Sequence, residues 1–228
     1  MINSISNKSD EKIEKLIRRP KVVFKPQWEL LCLLVVSGCA TMLEKRPMGI
    51  TKADFIGKVI SDFVSRLKCG RMRNNISLSI VNYDQRIVVK MPPTSVKSID
   101  EDDSFNPTIG LGDDSANVGG ALEEALRIAN EFMMDQMGSI PRLVEIVLLT
   151  DGYDSDKKST RTALKKIDTK QKIWLSGIGY VPTEGSDDDK TTIDYLKSLV
   201  GDSKTRCIDS MCDILRFFVS GTNPFAIL

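Results

Sequence analysis

The chain has 228 residues, 41% of them hydrophobic and 28% charged, enough for one sizeable core but cramped for two full domains. Thirty-two Lys and Arg against thirty-one Asp and Glu leave a net charge of +1, so no global field selects nucleic acid or an anionic membrane. Histidine is absent altogether, which removes the commonest general base and a leading zinc ligand.

The first residues are polar and charged. Residues 1–26 form a basic extension, in which Lys8 to Lys25 hold seven Lys or Arg against three acids. A solvated arm is the plain reading, and a docking element for an acidic partner or nucleic acid is the alternative. Leu30 to Val36 is a continuous aliphatic run, too short to span a bilayer and suited to a strand covered on both faces. Gly38 breaks it. Thr51, with Asp54 three positions on, fits a capping box, and Phe55, Ile56, Val59, Ile60, Phe63, Val64 and Leu67 follow at helical spacing.

Ile76, Leu78 and Ile80 then alternate with serines, predicting a strand that reaches Asn82-Tyr-Asp84. Ile87 to Val89 reads as its hairpin partner at a sheet edge, stopped by Met91-Pro-Pro93. The long polar stretch through Gly112 is unusual inside a compact fold unless it carries a binding loop. From Asn117, Leu122, Ala125, Leu126, Ala129, Phe132 and Met133 mark one helix face, with Gly119 and Gly120 permitting close packing at its start. Leu143 to Leu149 is another apolar strand. Asp156 caps a helix through Ile167, and Lys172 to Ile178 is the next strand. Glu184-Gly-Ser-Asp-Asp-Asp189 reads as a solvated acidic loop before a helix over Lys190 to Val200. A short strand at Arg206 to Ile208 and a last helix capped by Ser210 complete the pattern. Alternating strands and helices predict an α/β fold: a Rossmann-like, open, mostly parallel sheet with helices on both faces and one antiparallel edge strand. The domain is placed at 27–221, with a tail at 222–228.

Loops at the carboxyl ends of such strands converge where the strand order reverses. Three turns are candidates there: Ser37-Gly-Cys39, Asp113-Asp-Ser-Ala-Asn117, and the turn at Asp151. Leu33-Leu-Val-Val-Ser-Gly-Cys-Ala-Thr-Met42 and Leu148-Leu-Thr-Asp-Gly152 together resemble the von Willebrand factor type A domain family. Ser79-Ile-Val-Asn-Tyr-Asp84 and Ser176-Gly-Ile-Gly179 suit its intracellular, TerY-like branch. The resemblance covers roughly Glu29 to Ser220.

Members with an intact metal-ion-dependent adhesion site carry Asp-x-Ser-x-Ser, a loop threonine and a later aspartate. In this chain the resemblance puts the first aspartate on Val35, the serines on Ser37 and Cys39, the threonine on Ala116 and the last aspartate on Asp151. Only Ser37 and Asp151 keep the expected side chains. Magnesium requires a near-octahedral shell of hard oxygen ligands, so no cofactor and no metal are expected. Ser37, Asp151, Asp113 and Asp114 are the weak candidates for a residual ion. Zinc at Cys39 lacks a histidine or a second nearby thiol, and a nucleophilic Cys39 lacks an activating base.

The resemblance therefore implies a non-enzymatic protein-interaction or scaffold module, with Ser37, Cys39, Asp113, Asp114, Ser115, Asn117, Asp151 and Tyr153 as partner-binding candidates. The partner is expected to be a protein, basic on its contact face. A bacterial stress-response or phage-defence assembly is the context the TerY-like branch implies. Two alternatives stand beside this reading: a metal-assisted hydrolase using Asp151 and nearby acids, and a nucleic-acid-binding module using the basic arm. The five cysteines, Cys32, Cys39, Cys69, Cys207 and Cys212, lack paired ligand spacing, so reduced thiols in the cytoplasm and no membrane insertion are expected.

Overall fold

A computed structural model describes residues 28–45, 49–70, 73–100, 103–134, 140–152, 154–180, 187–201 and 205–208. The basic extension, Tyr153, the helix expected after Ser210 and the C-terminal tail lie outside these residues. Six strands form one sheet: β1 (Glu29–Ser37), β2 (Ile76–Tyr83), β3 (Ile87–Ser95), β4 (Arg142–Thr150), β5 (Ile173–Tyr180) and β6 (Thr205–Ile208), in the order β3-β2-β1-β4-β5-β6. All neighbours are parallel except β2 and β3. The helices are α1 (Lys52–Cys69), α2 (Val118–Met134), α3 (Lys157–Asp168) and α4 (Asp187–Val200).

Alternation along β1 divides the core. Cys32, Leu34 and Val36 pack with Phe55, Ile56, Val59 and Ile60 of α1 on one face of the sheet, while Leu31, Leu33 and Val35 pack with Leu122, Ala125 and Leu164 on the other. Neighbouring β4 divides the same way, with Val147 and Leu149 on the α1 side and Val144, Ile146 and Leu148 opposite. A strand buried on both faces reads as the unbroken aliphatic run seen in the sequence. Each such buried side chain contributes about 1.5–3 kcal/mol.

The helix ends follow local chemistry. Thr51 accepts a hydrogen bond from the Asp54 amide at 3.0 Å, and Asp156 accepts from the Lys158 and Ser159 amides at 3.0 and 3.1 Å. Gly119 lets α2 meet α3 closely, since a β-carbon there would stand 2.7 Å from the Thr160 amide nitrogen.

Two expectations need correction. Strand β3 does not stop at Met91-Pro-Pro93 but continues to Ser95, with Thr94 opposite Leu78 and Ser95 opposite Ser77. An edge strand with register shifts on that stretch accommodates prolines that a central strand would reject. Helix α4 begins at Asp187, so the helix starts three residues before Lys190 and takes in the end of the expected acidic loop. The polar stretch after β3 is also pinned: Val96, Ile99 and Phe105 are buried in the α1-side core.

Candidate functional site

The strand order reverses between β1 and β4, and the loops that follow both are tied by backbone hydrogen bonds to the segment before α2. Gly38 donates to the Tyr83 carbonyl at 2.6 Å, Ala40 to the Asp113 carbonyl at 3.0 Å, and Asn117 to the Asp84 carbonyl at 2.8 Å. Ser155 reaches the Ala116 carbonyl twice, through its amide at 2.9 Å and its hydroxyl at 2.6 Å. Thr192 of α4 donates to the Asp151 carbonyl at 2.8 Å. Gly152, at φ +98°, makes the turn after Asp151, and a β-carbon there would collide with Thr192.

Two hydroxyls converge on the Asp151 carboxylate from the β1 loop. Ser37 stands at 3.5 Å from one oxygen, and Thr41 donates to the other. Ser37 itself is fully buried, whereas Asp151 is partly exposed and Thr41 is exposed. Thr41 is absent from the candidates read from sequence. Its signal is a hydroxyl two residues beyond Cys39 in a loop whose 3-10 turn, Ala40–Leu43, points it back across the site.

Beneath this polar rim the lining is apolar. Val35, Cys39 and Ala116 are all buried and belong to one cluster with Tyr83, Val118, Leu122 and Leu148. The Cys39 thiol lies 3.5 Å from the Ser115 carbonyl. Burial pushes it up to about 11; the Ser37 hydroxyl opposes the rise, and the charges of Asp151, Asp84 and Asp113 add to it. Cys39 is therefore a buried thiol held in its protonated form at neutral pH, the form that is a poor nucleophile. Two buried hydroxyls, Tyr83 Oη and Ser115 Oγ, have no hydrogen-bond partner among the described residues. Burial raises the Tyr83 phenol well above its usual range.

Asp84, which the sequence marks only as the end of a strand, organises the loop before α2. Its buried carboxylate accepts from the Arg86 amide at 2.6 Å, the Arg86 guanidinium at 2.9 Å, and the Gly112 and Asp113 amides at 3.1 Å each. Burial alone would raise it, but these donors hold it down to about 2. On the α4 side, Tyr195 donates to the buried Asp154 carboxylate at 2.5 Å.

Of the sequence candidates, the structure brings Ser37, Cys39, Ser115 and Asp151 into one cluster. Asn117 turns to its own helix, accepting from the Gly120 amide at 2.9 Å. Asp113 and Asp114 are exposed at the rim. Among the described residues no group of three or more Cys, Asp or Glu is placed to hold a metal ion.

The sequence pattern of the von Willebrand factor type A domain matches residues 46–210. The chain belongs to that family. The match begins after the β1 loop, so the segment carrying Val35, Ser37 and Cys39 lies outside it. No curated protein sequence matches the chain. Among solved structures, this type A domain is similar to proximal thread matrix protein 1 of the mussel byssus, at 12% identity and TM-score 0.59, covering 85% of this chain and 47% of that one. It is also similar to the pilus adhesin SpaC of Lactobacillus rhamnosus GG, at 10% identity and TM-score 0.62, covering 86% and 30%. The conserved hypothetical protein BatB of Bacteroides thetaiotaomicron is similar at 15% identity and TM-score 0.55, with 88% of this chain and all of that one covered. The chain thus spans about half the mussel protein and under a third of the adhesin. At these identities the likeness establishes the fold alone.

Proposed function

We propose that this type A domain is a non-enzymatic protein-interaction module that uses the loop face above β1 and β4 without a bridging divalent cation. The observation that carries the reading is the single apolar cluster holding Val35, Cys39 and Ala116. These are the positions where the resemblance places an aspartate, a serine and a threonine of the adhesion site. The oxygen donors that converge at the rim are Ser37, Thr41 and the one carboxylate of Asp151. That set does not fit magnesium, which takes six hard oxygen ligands in near-octahedral array.

Recognition then rests on direct hydrogen bonds and charge. Asp151 keeps acceptor capacity beyond its two hydroxyl donors, and Asp113 and Asp114 add exposed negative charge nearby. A partner presenting Lys or Arg suits this rim. The TerY-like branch, and a bacterial stress-response or phage-defence assembly in the cytoplasm, complete the proposal. Ser79 to Asp84 and Ser176 to Gly179 support the branch, and the unpaired thiols of Cys32, Cys39 and Cys69 suit a reducing compartment.

The test is capture of a partner on the full-length chain, with and without a chelator, beside Asp151→Asn. Chelation is expected to leave affinity unchanged, while Asp151→Asn lowers it about tenfold. Loss of capture on chelation, or full affinity in the variant, would overturn the reading.

A further inference from the structure

Helix α3 departs from its neighbour in the way it handles charge. On α2, Arg127 is paired within the helix to Glu124 at 2.7 Å and to Glu131. On α3, the exposed positions between 157 and 166 are Lys157, Lys158, Arg161, Thr162, Lys165 and Lys166, all cationic but one. Lys166 pairs with Glu123 of α2 at 2.6 Å. Lys158, Arg161 and Lys165 have no ion pair among the described residues. Lys157, Arg161 and Lys165 stand four residues apart, a like-charge ladder that destabilises a helix. Lys165 and Lys166 lie in the last turn, where cations suit the helix dipole, but Lys158 and Arg161 have no such compensation, which points to a use outside the fold.

A second, independent feature lies at the same place. Lys157 and Arg161 also line a cavity of about 310 Å³ between α3 and α4, with Tyr195 and Leu199 on the opposing wall. The Tyr195 ring is held in position by its hydrogen bond to Asp154, and the Lys157 ammonium lies 5.8 Å from the ring centroid. The cavity lining thus combines an aromatic and aliphatic wall with two cations, Lys157 and Arg161, and one carboxylate, Asp194, a net single positive charge.

We propose that this α3–α4 face is a second docking surface, for an acidic segment of a protein partner. One carboxylate side chain enters the cavity beside Lys157 and Arg161, and the following acids run along α3 past Lys165. From Lys157 to Lys166 the helix rises about 14 Å, the length of about four residues of extended chain. That matches a short acidic peptide. A nucleic-acid strand is disfavoured because α3 carries no aromatic side chain on which successive bases could stack. The surface adjoins the β4 loop through Thr192 and Tyr195 but draws on different side chains from the rim of Ser37, Thr41 and Asp151, so variants at Arg161 and at Asp151 test the two readings apart.

The experiment is fluorescence anisotropy on the full-length chain with three probes: a labelled Asp/Glu peptide, the same peptide in Asn/Gln, and a single-stranded oligonucleotide of equal length. The acidic peptide is expected to bind at low salt and to be released as salt rises. Arg161→Glu is expected to weaken it about tenfold and Arg161→Gln about threefold. Lys58→Glu on α1, across the sheet, is expected to leave it unchanged. Arg161→Glu also converts the ladder Lys157, Arg161, Lys165 into alternating charge, so its Tm is expected to hold or rise, which separates lost docking from lost folding. Undiminished peptide affinity in Arg161→Glu, or tighter binding of the oligonucleotide than of the peptide, would overturn the proposal.

Discussion

Strands β1 and β4 run side by side from Glu29 opposite Arg142 to Val36 opposite Leu149, and they end at the same edge of the sheet in different chemistry. The end of β1 has turned inward: Val35 and Cys39 are sealed in the core, and even Ser37 is fully buried. The end of β4 remains polar, with Asp151 partly exposed and receiving the hydroxyls of Ser37 and Thr41. One edge of a sheet therefore supports two layers, an apolar plug below and a hydrogen-bonding rim above. The difference follows from what each layer faces. A side chain at position 35 points between the sheet and α2, where only apolar packing is stable without a partner charge, while position 151 faces solvent.

The strongest way to break this comparison is to return a carboxylate to the plug. Val35→Asp is expected to cost about 3–5 kcal/mol of unfolding free energy, because it buries an uncompensated charge. Denaturant unfolding with and without excess Mg²⁺ measures it, and recovery of wild-type stability by Mg²⁺ would show that the plug is a working ion site after all.

Next in size is Asp84, the carboxylate that ties the loop before α2 to the end of β2. Asp84→Ala is expected to cost about 2–3 kcal/mol, since the Gly112 and Asp113 amides lose their acceptor. The pH dependence has a definite sign. Because its folded value is depressed to about 2, Asp84 contributes stability that is full above the unfolded value of about 3.9 and lost as pH falls towards 2. Wild type and Asp84→Asn should therefore converge in Tm across that window. Parallel curves would assign the loop's order to other contacts.

Smallest in energy, but sharp in readout, is the contrast between thiols. Cys39 is buried with its thiol raised to about 11, whereas Cys69 at the end of α1 is exposed. Alkylation of the folded protein at pH 7.5 (about the sequence pI), mapped by mass spectrometry, is expected to label Cys69 readily and Cys39 only on unfolding. Comparable rates at both would place Cys39 in the rim rather than in the plug.

Within the site, legibility from sequence divides along the same two layers. The resemblance marks Val35, Cys39 and Ala116 as positions without the expected oxygen ligands, but only the fold shows that all three, Cys39 included, line a buried apolar cluster, while Ser37 and Asp151 sit at strand ends that hydrophobic runs mark clearly. Thr41 escaped because nothing in its neighbours says that a loop hydroxyl reaches a carboxylate 110 residues away. Asp84 escaped for a related reason: a strand-end aspartate is a common turn residue, and only the folded loop supplies the amides that make it an anchor. The prolines of β3 misled because their effect depends on whether a strand lies at the edge or in the middle of a sheet.

What the sequence determined by itself is the kind of element at each place, since period two, period 3.6 and capping residues act within a few neighbours. From those came the central strands, the helix starts at Thr51 and Asp156, and an α/β sheet with an antiparallel edge. The tertiary structure alone decided that Thr41 and Ser37 meet on Asp151, that Asp154 fixes Tyr195, and that the cations of α3 border a cavity against α4. These contacts join segments distant in the chain. The order β3-β2-β1-β4-β5-β6 sets which loops become neighbours, and that order is a property of the packed sheet rather than of any local stretch of residues.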